Sequence, residues 1–317
     1  GDWLADGIQG LAHKPEEIAK VGKAYQRLSR AIGVPIDYVY QVRRPSIDPA
    51  YIDSIVKTFP AVWGWTASEE NLDFWDYLAK RCRESGCLYT QSVYPDYYTS
   101  KTYRKGRGDH AIVPTTEALK LGAGGLERHY RVTRLSRVQR QLLERAVRHD
   151  VKLINYVSWN DFPEGHHLAP ERSHNFGPSL LLRHFKRLWK MKDAKVARDE
   201  AIVFFKKYRH DAKPKHSVSL RIKSLEKDLA GEDRLELVPL LTRPATCFLN
   251  GRSLGLVEQG LRVLSVPSSP GRVRVRIVRD GGEIISFTTP EAITDAPLRT
   301  DRLPYSCLIY TSDAADE

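Results

Sequence analysis

Hydrophobic positions in the first two-thirds of the chain alternate between two periods. Glu16–Ile32 places Ile18, Val21, Ala24, Tyr25, Leu28 and Ile32 on one helical face, with Pro15 at its start and Gly33 at its end. Ile36–Val42 reads as a short strand, Tyr51–Phe59 as a short helix and Ala61–Trp65 as a second strand. Asn71–Arg83 is amphipathic through Leu72, Trp75, Leu78 and Ala79, ends at Gly86, and leads to a third strand at Leu88–Val93. Arg137–His149 carries Val138, Leu142, Leu143, Ala146 and Val147 on one face and runs into an apolar strand at Val151. Gly177–Trp189 is the last helix of this part. Strands separated by helices of this length predict parallel βαβ units. About four strands are visible, so the expectation is part of a (β/α)8 TIM-type barrel.

The period changes near residue 197. Beyond Ala201 only Leu220–Leu229 has a helical look; the rest is short alternating runs. Asn250-Gly251 and Asp280-Gly281 are dipeptides that favour two-residue hairpin turns. Between them, Arg272–Arg279 alternates arginine with Val273, Val275 and Ile277, one face apolar and one basic. The fold class expected is therefore α/β plus all-β: a partial barrel over 1–193, then a small antiparallel β-sandwich over 194–306.

The two ends change this picture. Cys307–Glu317 resembles translated sequencing adapter, so residues 307–317 are expected to be a disordered artefact. Gly1 is not a start residue and the sole methionine is Met191, so the chain is expected to be a fragment lacking the first strands of its barrel. The formal charge of +11 becomes +14 when Asp313, Asp316 and Glu317 are set aside. The basic residues are dispersed and no nucleic-acid signature accompanies them, which argues for a solvated surface and no nucleic-acid partner. No apolar run is long enough to cross a bilayer, so no membrane span is expected. Cys82, Cys87 and Cys247 show no zinc-ligand spacing and no disulfide framework.

Candidate chemistry concentrates in Val151–Gly165. The apolar run through Leu153, Ile154, Tyr156 and Val157 stops at Trp159, Asn160 and Asp161, and Glu164 follows. A buried strand ending in a Trp, an amide and two carboxyls suits glycoside hydrolysis, in which one carboxyl protonates the leaving oxygen and the other activates water or attacks directly. Asp-x-x-Glu is also a common capping pattern, but Pro163 and Gly165 flank Glu164 and no helix follows until about Pro178. Asp161 and Glu164 are thus the candidate catalytic pair. Trp63, Trp65, Tyr94, Tyr97 and Trp159 are candidate stacking platforms for sugar rings. Asn160, His166 and His167 are candidate hydrogen-bond partners. His166, His167 and His174 with Glu164 bear metal-type donors, but no fixed helical spacing supports a site and sugar binding is simpler; no metal and no cofactor is expected.

These residues resemble glycoside hydrolase family 71, the α-1,3-glucanases or mutanases. That family's barrel ends in Trp-Asn-Asp-Tyr-Gly-Glu-Ser-His, where this chain reads Trp159-Asn160-Asp161-Phe162-Pro163-Glu164-Gly165-His166. The resemblance implies that Asp161 and Glu164 are the catalytic pair. Ala61–Trp65 and Ser92–Tyr98 look like diverged versions of the family's upstream strand-end motifs. It further implies a polysaccharide or oligosaccharide substrate, most simply an α-glucan, and an extracellular or periplasmic location. Phe162-Pro163 departs from the family's Tyr-Gly, which removes a phenol and fixes a backbone angle. The family's first strands carry another functional acidic residue and have no counterpart here, which puts the activity of this fragment alone in question. Glycoside hydrolase family 99, the endo-mannosidases, has a related Trp-Asn-Glu-x-x-Glu arrangement. A non-catalytic carbohydrate-binding protein on a decayed barrel is the alternative from another class.

Two carboxyls working around an attacking water should lie about 6.5–9.5 Å apart. Asp161, set rigidly after the strand, is expected to be the base. Glu164, on a longer side chain, is expected to be the acid.

Overall fold

The computed structural model describes residues 14–42, 48–64, 71–98, 103–104, 126–215, 221–224, 230–298 and 305–311. In chain order the elements are α1 (Pro15–Ile32), β1 (Val39–Val42), α2 (Pro49–Thr58), β2 (Ala61–Gly64), α3 (Leu72–Ser85), β3 (Leu88–Val93), β4 (Tyr103–Arg104), β5 (Leu126–Tyr130), α4 (Arg137–Arg148) and β6 (Leu153–Tyr156). There follow a 3₁₀ turn (Phe162–Glu164), α5 (Gly177–Met191), β7 (Glu200–Lys206), β8 (Arg221–Ser224), a 3₁₀ turn (Ala230–Glu232), β9 (Arg234–Leu241) and β10 (Ala245–Leu249). The last are β11 (Arg252–Val257), β12 (Gly260–Leu261), β13 (Leu264–Pro267), β14 (Gly271–Arg279), β15 (Gly282–Ile293) and β16 (Tyr305–Thr311).

Two compact units result, one of residues 1–94 and 141–157, the other of 95–140 and 158–317. The first holds a parallel sheet in the order β1-β2-β3-β6. Its helices end as the sequence dictates. Gly33 and Gly86 take left-handed backbone at φ 79° and 75°, which a side chain would strain, and so stop α1 and α3. Asp48 caps α2 through Ala50 N, and Pro49 occupies the first turn. Ile52, Ile55, Val62 and Leu78 are fully buried. Among the described residues no sheet closes on itself. Among the described strands β6 lies at the edge and pairs with β3 alone, and Leu153 is 48% exposed while Ile154 and Tyr156 are half-buried. The expectation of a buried strand there fails, because an edge strand is covered on fewer sides.

The second unit carries two antiparallel sheets, β11-β10-β14-β15 and β12-β9-β7-β16, with β13 also on β9. Both contribute to one core: Val203 and Phe205 of β7, Leu235 and Leu237 of β9, Cys247 and Leu249 of β10, and Val273, Val275 and Ile277 of β14. Asn250 (φ 50°) with Gly251 (φ 80°), and Asp280 (φ 52°) with Gly281 (φ 81°), make the β10–β11 and β14–β15 turns with two left-handed residues each. A smaller sheet, β4-β5-β8, belongs to the same unit. There Arg221–Ser224 is a strand parallel to β5, where the sequence suggests a helix over Leu220–Leu229. Pairing with β5 supplies hydrogen bonds that override a weak local preference.

Two boundary expectations change. The units do not divide at residue 193. Leu135, Leu180 and Leu181 pack with Ile202, Phe204, Val238 and Leu240, so α5 and the turn before α4 belong with β7 and β9. The expectation of disorder for residues 307–317 also fails in part. Tyr305–Thr311 pairs antiparallel with β7 from Tyr305↔Lys206 to Thr311↔Glu200. A strand edge recruits any extended apolar segment through its backbone, and Cys307-Leu308-Ile309-Tyr310 is one. Residues 312–317 and Gly1–Ile8 lie outside the described residues.

Candidate active site

Residues 158–169 form a loop stitched to itself. Ser158 N donates to His166 O at 2.7 Å, Leu168 N to Ser158 O at 2.9 Å and Ala169 N to Trp159 O at 2.8 Å. Asp161 N donates to Ser158 Oγ at 3.0 Å. Inside the loop, Asp161 caps the short 3₁₀ turn: its Oδ1 accepts from Glu164 N at 3.2 Å. The capping reading of Asp-x-x-Glu therefore holds here, alongside whatever chemistry the pair performs. Gly165, at φ 70°, ends the turn. A Cβ there would lie 3.0 Å from both N and O of Tyr98, whose N–H donates to Glu164 O at 2.9 Å. Glycine is thus required by its dihedral and by a close backbone approach.

A 3₁₀ turn has three residues per turn, so positions i and i+3 eclipse. Asp161 and Glu164 accordingly project together, and His166 joins them. One oxygen of each carboxyl and a ring nitrogen of His166 lie within 4.8 Å of one another. His166 Nε2 is 3.1 Å from Glu164 Oε2 and 3.6 Å from Asp161 Oδ2. The imidazole is buried and stacks nearly parallel on Tyr97, with centroids 6.0 Å apart. Glu164 is mostly covered and Asp161 is 39% exposed, so the site faces solvent through the aspartate. The nearest oxygens of the two carboxyls are thus closer together than the about 6.5–9.5 Å expected of the pair.

The other expected site residues scatter. Trp159 (64% exposed) and Asn160 stand in solvent beside the pair in sequence. Trp63 is half-buried on β2, and Trp65 lies outside the described residues. Tyr94 is buried just after β3, so its ring belongs to the core and has no open face for stacking. His167 turns away into a second cluster. Its Nε2 lies 2.8 Å from His174 Nδ1, and Phe162 leans on its ring at 4.5 Å between centroids.

That second cluster holds residues the sequence reading missed. Glu171 Oε1 is 3.6 Å from His167 Nε2 and 3.3 Å from His174 Nδ1, and the carboxylate accepts from Ser173 N and His174 N. Burial pushes Glu171 up, but the His167 and backbone hydrogen bonds outweigh it and hold the carboxyl down to about 2. Asp96 Oδ2 faces His174 Nε2 at 3.9 Å and Lys206 Nζ at 2.9 Å, while its Oδ1 accepts from Thr133 Oγ1 and Tyr97 N. Burial raises Asp96, yet Lys206 and His174 prevail and keep it well below the usual carboxylate range. Burial lowers Lys206, and Asp96 with Glu232 reverses this and raises it. Glu232, 3.6 Å from Lys206, is instead held up by burial, its largest influence. One signal was available: Lys206 closes a strand whose other six residues are all buried, and a charge in such a run needs a buried partner.

No family model and no curated protein matches the sequence. Among solved structures, the chain is similar to the GH99 endo-α-mannosidase of Bacteroides thetaiotaomicron in complex with Bis-Tris propane, at 16% identity and a TM-score of 0.34, over 56% of this chain and 54% of that one. A second structure of that enzyme gives 13% identity and 0.31, over 49% and 46%. A calcium-binding mutant of Bacteroides uniformis β-glucuronidase 2 gives 12% and 0.38, over 88% and 30%. The chain spans about half the length of the endo-mannosidase structures. Likenesses this slight fix no family, so function rests on the site itself. No helix among the described residues is long and apolar enough to cross a membrane.

Proposed function

We propose that the chain is part of a glycoside hydrolase resembling family 71, acting on a polysaccharide such as an α-glucan outside the cytoplasm. The observation that carries this reading is the convergence of Asp161, Glu164 and His166 within 4.8 Å on a turn shortly after an apolar strand. Glu164 is the proton donor. Its oxygen meets His166 Nε2, which accepts a proton from the acid or donates to the carboxylate, so both states of a general acid have a partner. Asp161, more exposed, is the second carboxyl. One oxygen of each carboxyl lies within 4.8 Å of the other, which leaves little room for a water between the two, so Asp161 is assigned to direct attack on the sugar. That chemistry is compatible with an endo-mannosidase-like substrate as well as an α-glucan. Tyr97, which stacks on His166, and the exposed Trp159 and Asn160 are the residues assigned to contact the sugar.

A second reading has its own support: Asp161 spends one oxygen on its cap, as it would in a protein that binds sugar without cleaving it. Product analysis of the full gene product on α-1,3-glucan, β-glucans and α-mannan separates the two. Asp161→Asn keeps the cap, because asparagine is an equally good cap residue. It should nevertheless abolish hydrolysis of glycan and aryl glycoside alike, with azide restoring turnover. Glu164→Gln should lose about 10²–10⁴-fold on glycan and far less on an aryl glycoside with a good leaving group. Glycan binding without cleavage supports the binder, and full activity in both variants removes the site.

A further inference from the structure

We propose that His167, Glu171 and His174 bind one Zn²⁺, which staples the loop carrying the carboxylate pair. This goes beyond the glycosidase reading and does not rest on it.

The donor atoms already outline the site. His167 Nε2, His174 Nδ1 and Glu171 Oε1 form a triangle with sides of 2.8, 3.3 and 3.6 Å. The circle through three such points has a radius of about 1.9 Å, so an ion slightly off their plane sits about 2.0–2.1 Å from each, the bond length zinc takes with imidazole and carboxylate. One ion accepts a lone pair from each of the three atoms when both imidazoles take the tautomer that leaves these nitrogens unprotonated.

The surroundings fit a metal ligand set. Behind His174, Asp96 Oδ2 faces Nε2, as a carboxylate that orients a zinc-bound imidazole does. Lys206, Thr133 and the Tyr97 amide in turn fix Asp96. Two nitrogen donors exclude Ca²⁺ and Mg²⁺, which take oxygen shells of six or more. Three protein ligands leave the fourth tetrahedral position to water.

The consequence is positional. His167 directly follows His166, the partner of Glu164, so fixing the ring of one restricts the backbone of the other. The three ligands span residues 167–174 in a stretch without helix or strand, where an ion supplies order that secondary structure does not.

The test is zinc titration of the chelator-stripped chain, with metal content measured after gel filtration. One zinc per chain is expected. His167→Asn with His174→Asn should abolish it. Asp96→Asn should weaken binding about 10–100-fold. His210→Asn, in the separate His210/Asp211/Asp233 group, should leave it intact. Because the double variant removes buried side chains, Co²⁺-loaded wild type gives a second reading: strong visible absorption from a four-coordinate ion. No bound zinc, zinc undiminished in the double variant, zinc lost from the His210 variant alone, or a six-coordinate cobalt spectrum overturns the proposal. None of these measurements involves glycan, so failure of the glycosidase reading leaves them untouched.

Discussion

Replacing Lys206 by methionine probes the least forgiving part of the second unit. The ammonium is 4% exposed, 2.9 Å from Asp96 and 3.6 Å from Glu232. Methionine keeps the aliphatic stem, so packing in β7 survives and the loss is electrostatic. Removing one member of a buried pair costs about 3–5 kcal/mol, because the other charge stays buried. Here the lower end applies. Asp96 keeps Thr133 Oγ1 and Tyr97 N, and Glu232, already pushed up by burial, keeps Thr133 N and Arg134 N and takes a proton. About 3 kcal/mol is therefore expected at pH 7. For a unit of about 200 residues each kcal/mol moves the midpoint by about 2–4 °C, so the calorimetric transition should fall by about 6–12 °C.

The pH dependence has a definite sign. Asp96 is depressed in the folded state, so its contribution is complete above its unfolded value near 3.9 and is lost as pH falls through the lower folded value. The wild type should thus outlast Lys206→Met by the full margin at pH 7, and by less below about pH 4. Adding Asp96→Asn to Lys206→Met removes the stranded charge and should recover most of the deficit. A single variant within about 0.5 kcal/mol of wild type, or a double variant no better than the single, refutes the reasoning.

Two further expectations follow from the same structure. Gly165→Ala adds a Cβ at φ 70° and 3.0 Å from the Tyr98 backbone, so it should cost about 1–3 kcal/mol in calorimetry and lower any hydrolytic rate by moving Glu164. Asp199 ties Arg279 and Thr242 across the two sheets; burial raises it, but Arg279 and Thr242 hold it below its usual range. Asp199→Asn should therefore destabilise the wild type by about 1–3 kcal/mol near neutral pH, a margin that narrows as the melt is repeated below about pH 4.

What the sequence made legible is what local chemistry decides. Gly33 and Gly86 stop helices because the backbone there turns left-handed. Asn250-Gly251 and Asp280-Gly281 close hairpins for the same reason, and the Val273, Val275, Ile277 row is buried because a strand alternates its faces. Asp161 and Glu164 were legible as a pair because three residues and a proline set them side by side. Their separation was not, since the spacing fits both an open turn and an eclipsed one, and only the 3₁₀ geometry decides.

The second cluster was illegible for a different reason. Asp96 and Lys206 are 110 residues apart, Thr133 and Glu232 are 99 apart, and no periodicity links them. Such pairs are chosen by tertiary packing, which gathers polar groups wherever burying one forces the burial of its complement. His167 and His174 show how this misleads a reading by type. Beside Glu164 in sequence they look like sugar ligands, yet only His166 reaches it, because the chain turns at Gly165 and sends the next imidazole toward Glu171 and His174. Neighbouring histidines thus divide between two sites, one facing solvent through Asp161 and one closed. Since a single peptide bond joins His166 to His167, order imposed on the closed cluster is transmitted directly to the partner of Glu164. Calorimetry on Lys206→Met and kinetics on Glu164→Gln consequently probe the two clusters that this one peptide bond joins.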